Sequence, residues 1–381
     1  MAKATKLLNL DEYDAYLVQF SGGKDSLAMV LDLLERGVDK SKIQLWHQRI
    51  DGSDEDGRLM DWTVTEAYCS AVAQALDIPI YFQWSDGGFE AEMNRSNSTR
   101  RGMYYQTTTG TTKYLRPSPP AKACSAKLDP YISDERCGHV FTGAVVWDET
   151  RRVYVSEECA CPKCGKSRKG AATRGKFPQV AADLSIRWCS SYLKIDVAKR
   201  VINATFKGTK ERKVKVLVLT GERREESANR AKYHECEEMS STKTKIVHQW
   251  RSVIDWSEQQ VWDIIKRFKI NPHPCYHLGF GRCSCMTCIF GDKDQFATVL
   301  ALDPERFERI AKYEEQFGCT IKRKQSVREL AADGAVFEQV ASETDEVYRA
   351  LHDVYPVEDV IVDDWKLPAG AGRAMVCGGP S

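Results

Sequence analysis

A turn and two groups of cysteines carry the residue types that could do chemistry in this chain. Ser21, Gly22, Gly23, Lys24, Asp25 and Ser26 run consecutively between an apolar stretch at 16–20 and Leu27, Val30, Leu31 and Leu34 at helical spacing. That order reads strand, glycine turn, helix. Glycines let a backbone approach an anion closely, and the first amides of a helix lack intrahelical acceptors and carry the positive end of its dipole. Lys24 adds a point charge, and Ser21 and Ser26 add hydroxyl donors. The pattern is not the P-loop, which needs Gly-x-x-x-x-Gly-Lys-[Ser/Thr]. The turn is a candidate phosphate cradle; the plain alternative is a strand–helix turn with no ligand.

Cys275, Cys283, Cys285 and Cys288 lie within fourteen residues, and Cys285-Met286-Thr287-Cys288 puts two sulfurs on one short turn. Thiolates at this density bind zinc or an iron–sulfur cluster, and spacing alone does not choose between them. The second group is Cys124, Cys137, Cys159, Cys161 and Cys164. Cys161-Pro162-Lys163-Cys164-Gly165 has the form of a zinc knuckle, in which proline shapes the turn and glycine lets amides face the sulfurs. The second pair of such a ribbon is Cys124 and Cys137, with Cys159 and His139 as rivals. Four thiolates leave no open position, so this Zn²⁺ would be structural. Cys69, on an apolar helix, reads as core. His47, His273 and His277 are as readily structural as catalytic.

Six Lys or Arg and no Asp or Glu fall between 160 and 176, and Arg95, Arg100 and Arg101 form another basic group. Most such runs are solvated faces; beside a zinc ribbon they become a candidate contact for DNA or RNA. Across the chain, 55 Lys+Arg balance 54 Asp+Glu, which excludes a globally basic nucleic-acid binder. No apolar stretch approaches the ~20 residues of a membrane span, and residues 1–13 lack a secretory signal. A cytoplasmic chain with no membrane partner is expected. Reduced thiols there turn fourteen cysteines toward metal rather than disulfides.

The elements that must position these residues alternate. Strands are expected at 16–20, 43–46, 78–84 and 214–219, helices at 63–76 and 257–268, and a charged helix from about Arg224. Such alternation argues for a doubly wound α/β fold with a parallel sheet covered on both faces. Four regions follow: 1–105, the first part of the α/β domain; 106–179, a cysteine-rich insert with a hairpin across 148–150; 180–300, the second part; and 301–381. The last holds helices at 304–317 and 326–332 and a flexible Gly- and Ala-rich tail after Leu367.

Several segments together resemble one family. The 21–26 turn is similar to the pyrophosphate-binding PP-loop of the adenine nucleotide α-hydrolase-like superfamily, and more narrowly of the phosphoadenosine-phosphosulfate (PAPS) reductase family. Arg187-Trp188-Cys189 with Leu193-Lys194 resembles its R-W-C-x-x-x-L-K segment. The run from Thr220-Gly221-Glu222-Arg223 through Arg230-Ala231 resembles its G-x-R-x-x-E-S-x-x-R-A motif, and Asp255-Trp256-Ser257 through His273-Pro274 the approach to its cysteines. The resemblance covers about 13–95 and 180–335, not the insert.

The resemblance implies a Rossmann-like fold with ATP and Mg²⁺ at the turn. Ser21, Gly22, Gly23, Lys24, Asp25, Ser26, Gly221, Arg223 and Arg230 would hold the nucleotide. Lys24, Asp25 and Arg223 would be catalytic, with Asp25 helping Mg²⁺. Asp51 is either a ribose or metal contact or a turn-forming residue before Gly52. Likeness to DndC-like DNA-phosphorothioation proteins implies a [4Fe–4S] cluster on Cys189, Cys275, Cys285 and Cys288, with a sulfur-donor protein as partner. The intact turn implies an ATP pyrophosphatase that adenylates an acceptor for sulfur transfer. Reductases of sulfonucleotides carry a degenerate turn and a C-terminal E-C-G-L-H motif, from which Val376-Cys377-Gly378-Gly379 departs. The rivals are a thiol-dependent PAPS or adenosine phosphosulfate reductase releasing sulfite, and a nucleic-acid-binding protein regulated by nucleotide without turnover.

Overall fold

Strands as apolar as Val214–Leu219 have no polar face to turn to water and must be covered on both sides. In the computed structural model they are. It describes residues 4–117, 122–123, 140–141, 145–156, 159–161, 163–164, 167–168, 173–181, 183–283, 285–342 and 344–373. Strands β1 (Ala15–Gln19), β2 (Ile43–Arg49), β3 (Ile80–Ser85), β4 (Met103–Gln106), β5 (Thr112–Leu115), β6 (Val214–Leu219), β7 (Cys236–Ser241) and β8 (Lys245–Trp250) form one sheet. Its order is β7-β8-β6-β1-β2-β3-β4-β5. The five central strands are parallel, and β7, β4 and β5 are antiparallel additions at the two edges.

This is a doubly wound α/β fold. The chain walks outward from β1 through β2 to β3, then returns to the other side of β1 for β6 and β8. The order therefore reverses between β1 and β6, where Val18 is level with Leu219. Loops leaving the carboxyl ends of such a strand pair diverge to opposite faces and open a crevice.

One face carries α1 (Lys24–Glu35), α2 (Thr65–Leu76) and, against α1, α5 (Glu258–Arg267). Leu27, Val30, Leu31, Val72, Val261 and Ile265 are buried there. The other face is smaller: Val197, Val201 and Ile202 of α4 (Asp196–Thr205) cover Leu17, Trp46, Val216 and Val218. Each such aliphatic side chain contributes about 1.5–3 kcal/mol when fully buried. α4 is led in by one helical turn, Trp188–Ser190, and a wider π-type stretch, Ser191–Ile195. The C-terminal part holds α7 (Lys293–Leu302), α8 (Pro304–Phe317) and α9 (Val327–Asp333), joined to the rest through the short α6 (Pro274–His277). Asp303 and Ser326 cap α8 and α9, and Gly318 ends α8 in the left-handed region.

Several segments differ from the sequence expectations, among them strands β4, β7 and β8, which were not expected. No α-helix starts at Arg224: the charged stretch makes two 3₁₀ turns, Arg224–Glu226 and Arg230–Lys232, with Ser227 fully extended between them. The cause is Glu226, whose carboxylate accepts the Arg223 amide at 2.8 Å and pairs with Arg230, tying the chain into a knot rather than a rod. The sheet also takes in 112–115, within the stretch assigned to the insert. Finally, the tail is docked as far as Arg373: the Gly370 amide donates to the Tyr276 carbonyl at 2.8 Å, and Arg373 lies over Phe337.

In the insert, Val145–Asp148 and Val153–Ser156 pair as the expected hairpin, and Cys159–Ala160 pairs with Ser167–Arg168. Cys161 and Cys164 lie in the loop of that second pair. Cys124 and Cys137, the other half of the expected ribbon, lie outside the described residues, as do His139 and Cys377. The return segment is pinned to α3 (Gly88–Met93), where Glu92 accepts from Arg95 at 3.2 Å and Arg174 at 3.0 Å.

Candidate active-site cleft

β1 ends and the chain turns sharply at Gly22, which has φ +78°. A side chain there would be strained, and its Cβ would stand 3.0 Å from the Cys69 sulfur. Gly23 caps α1 without a side-chain acceptor. Ser26 Oγ instead holds the turn closed, donating to the Gly23 carbonyl at 2.8 Å and accepting the Ser21 amide at 3.3 Å. The Lys24 amide is taken by the Tyr276 hydroxyl at 3.0 Å. The other early amides, those of Gly22, Gly23, Asp25 and Ser26, have no acceptor among the described residues. Gly23, Asp25 and Ser26 border the crevice between β1 and β6, the place the fold reserves for an anion.

Two adjoining cavities fill that crevice. One, of about 190 Å³, is polar and lies against the turn, lined by Ser21, Lys24, Ser26, Gly221, Glu226 and Arg230 among others. The other, of about 360 Å³, is more apolar, lined by Phe20, Ile50, Ala198, Ile202, Val218 and Lys194 among others. Gln19, Ser21, Thr220, Glu222, Arg282 and Cys283 border both. A polar pocket for phosphates opening into an apolar one for a ring suits a nucleotide.

The sequence candidates are distributed unevenly around this cleft. Ser21, Gly23, Lys24, Asp25, Ser26, Gly221 and Arg230 border the polar cavity, and Gly22 shapes its turn. Lys24 is buried: its ammonium lies 3.6 Å from Glu258 and 3.7 Å from Asp25, and 3.4 Å from the Gly281 carbonyl. Arg223 binds Asp25 Oδ1 at 2.6 Å as well, which leaves Oδ2, 3.7 Å from the Lys24 ammonium, as the carboxylate oxygen not held by a guanidinium. Arg223 is fully buried and does not border either cavity. It ties the β6 loop to α1 through Asp25, Glu225 and the Trp256 carbonyl, at 3.3 Å. It acts as a brace. Asp51 is also elsewhere, accepting the Met60 and Asp61 amides at 3.0 and 2.8 Å, which is the turn-forming reading. Burial pushes its carboxyl up to about 6.

Arg282 was not singled out from the sequence. It borders both cavities and forms no ion pair among the described residues, its guanidinium lying 5.3 Å from the Phe290 ring centre. Its only sequence signal is its place beside the cysteines, whose loop folds back under the phosphate turn. An added Cβ on Gly23 would meet Cys283 at 3.3 Å.

The cysteines separate into two groups. His273, Cys275 and Cys283 bring their donor atoms within 4.8 Å of one another. A hydrogen bond from the Cys275 thiol holds Cys283 down to about 6, against burial and with help from His273, while burial pushes Cys275 well up. His273 spends both ring nitrogens, Nδ1 accepting the Cys275 amide at 3.2 Å and Nε2 facing Thr65 Oγ1 at 3.3 Å. The three donor atoms are a possible metal-binding group. Cys189, Cys285 and Cys288 gather instead around Lys194. Burial alone would lower that lysine; the Cys285 thiol and Asp61 reverse this and raise it. Burial raises Cys189 and Cys285, and the neighbouring Lys194 ammonium offsets this only in part. Three thiols are the donor chemistry that an iron–sulfur cluster would take. Cys275 stands with Cys283.

Residues 160–290 match the family model of the phosphoadenosine phosphosulfate reductase domain. The chain carries a domain of this family. The match takes in β6, the knot at 223–230 and both cysteine groups; the reductase-family segment meets the phosphate turn because β6 pairs with β1. Among curated proteins, an uncharacterized 37.8 kDa protein of Escherichia phage 186 is 31% identical over 154 residues, 40% of this chain and 43% of that protein. The adenosine 5'-phosphosulfate reductase of Burkholderia cepacia is 31% identical over 70 residues, 18% of this chain and 27% of the reductase. The chain thus spans less than half the length of either relative. A PAPS reductase-family domain supports a nucleotide-related role in sulfur metabolism. No helix among the described residues is long and apolar enough to cross a membrane.

Proposed function

We propose that the chain is an ATP pyrophosphatase that adenylates an acceptor for sulfur transfer. The observation that supports this best is the intact turn, whose Ser21, Gly23, Lys24, Asp25 and Ser26 border a polar cavity that adjoins an apolar one. In this reading the β and γ phosphates lie on residues 21–26, with Arg230 and Arg282 at their sides, and the nucleoside fills the larger cavity. An acceptor oxygen attacks the α-phosphorus; the bond to the bridging oxygen breaks, and its electron pair leaves with pyrophosphate. The developing charge falls where the helix dipole and two guanidiniums can stabilise it. Mg²⁺ would be held by the phosphates, with Asp25 Oδ2 as the protein oxygen at hand.

Cys189, Cys285 and Cys288 would hold an iron–sulfur cluster next to the nucleoside cavity, and such a cluster supplies sulfur or electrons. Cys161 and Cys164 would hold half of a structural zinc site. Tests use protein purified without oxygen. Magnesium ATP should give AMP and pyrophosphate in equal amounts, with water as the acceptor when no other is supplied, and PAPS or adenosine phosphosulfate with a thiol donor should give no sulfite. Sulfite without pyrophosphate overturns the proposal in favour of the reductase named among the relatives.

A further inference from the structure

Two polar atoms are left over where the two cavities meet. That throat is built by Gln19, the last residue of β1, by Ser21, by Thr220 and Glu222 just past β6, and by Arg282 and Cys283. Gln19 Nε2 and Glu222 Oε2 are both buried, and neither has a hydrogen-bond partner among the described residues. A buried donor or acceptor left unmade costs free energy, so each such atom in a folded chain asks for a partner. Arg251 Nε lies 3.4 Å from Glu222 Oε2 without a hydrogen bond between them. The same guanidinium also answers Glu237 at 3.4 Å and the His234 carbonyl at 2.6 Å. One arginine shared by two carboxylates balances Glu222 only in part.

What belongs at the throat follows from the cavities on either side. With phosphates on the turn and a ring in the apolar cavity, the sugar between them meets Gln19 and Glu222. A hydroxyl both donates and accepts, so two neighbouring hydroxyls can satisfy an orphaned acceptor and an orphaned donor together. Dinucleotide sites at the same switch point of doubly wound sheets put an acidic side chain on a ribose hydroxyl, and an arginine where the ribose carries a phosphate. Here the residue with the unmade bond is the acidic one. A carboxylate that accepts from a hydroxyl repels a phosphate in its place, so the group that recognises the free sugar also rejects the phosphorylated one.

We infer that Glu222, with Gln19 beside it, reads the ribose diol of the bound nucleotide and excludes nucleotides phosphorylated on that diol. The inference rests on the reading that a nucleotide spans both cavities, and it specifies which nucleotide. The test is competition binding on the full chain, purified without oxygen, against a radiolabelled non-hydrolysable ATP analogue. AMP should displace the analogue at a concentration about tenfold or more below that needed of adenosine 3′,5′-bisphosphate. ATP should bind about tenfold more tightly than its 2′-deoxy or its 3′-deoxy form, the worth of one hydrogen bond to a charged group. Glu222→Gln removes the charge and keeps the shape, and should bring the bisphosphate close to AMP. The double variant Gln19→Ala, Glu222→Ala should bind ATP and both deoxy forms alike. Glu237→Gln takes the other carboxylate from Arg251 without touching the throat, and should leave the preference for AMP intact. Thermal unfolding reports that each variant is folded. A bisphosphate that binds as well as AMP in the parent chain overturns the inference and gives the throat to Arg282. A preference that survives Glu222→Gln, or the absence of any deoxy penalty, overturns it too. Pyrophosphate release on the same samples separates the two ideas. Pyrophosphate without ribose selectivity leaves the adenylation reading and removes this one, and selectivity without pyrophosphate does the reverse.

Discussion

At the scale of single residues, the cleft depends on charges that never reach it. Arg223 is fully buried and answers Asp25 and Glu225 at once, so it fixes the two loops that border the phosphate cavity. Removing one partner of a buried ion pair leaves an uncompensated charge and costs about 3–5 kcal/mol. Arg223→Met is expected to lower the urea-unfolding free energy by that amount, with Arg223→Lys recovering part of it. His47 gives a test against pH. Burial holds its imidazole down at about 4, below the ordinary 6.5. The unfolded chain takes up that proton first, so this group's stabilisation is full above pH 6.5 and is lost as pH falls toward 4. Asp51 and Glu66, which burial raises to about 6 and about 7, act with the opposite sign over the same range. The comparison is therefore with His47→Gln, whose stability relative to the parent chain should improve steadily from pH 6.5 to pH 4. A constant difference would contradict the burial account.

At the scale of elements, the phosphate turn works because one residue has no side chain. Gly22→Ala would add about 1–2 kcal/mol of left-handed backbone strain and press a methyl against Cys69. Thermal unfolding should shift down, and nucleotide affinity should fall more than unfolding alone explains. This element was fully legible in the sequence: Gly22 and Gly23 sit between an apolar run and a helical repeat, and α1 begins at Lys24. α8 and the capping Ser257 of α5 were equally plain, because periodicity and caps are local signals. The helix expected from Arg224 failed for a reason that is partly nonlocal: Glu226 ties Arg223 and Arg230 together locally, and Asp25, 198 residues away, binds the Arg223 side chain and anchors the stretch to α1. Arg282 and the split of the cysteines were hidden for the same reason, since only the tertiary fold decides which sulfur faces which.

At the scale of the whole molecule, sheet order does the positioning. Pairing of β1 with β6 brings a turn at residue 21 beside a knot at residue 223, and the cysteine loop closes underneath both. The docked segment 368–373 holds that loop from outside, through Gly370 on Tyr276. Ending the chain after Leu367 should therefore loosen the loop and speed alkylation of Cys283 and Cys285 by a maleimide several-fold. Unchanged alkylation would mean the segment is only resting there. Four of the five parallel strands were expected from alternating strands and helices, whereas β8 was not, and the antiparallel edge β7, mostly polar, offered no period-2 signal to find it by.

Amide hydrogen exchange bears most directly on where nucleotide binds. With magnesium and a non-hydrolysable ATP analogue, the amides of Gly22, Gly23, Asp25 and Ser26 should gain protection, together with the 220–230 loop. Saturating analogue that leaves those amides exchanging as before, or that protects a different part of the chain, would contradict the account.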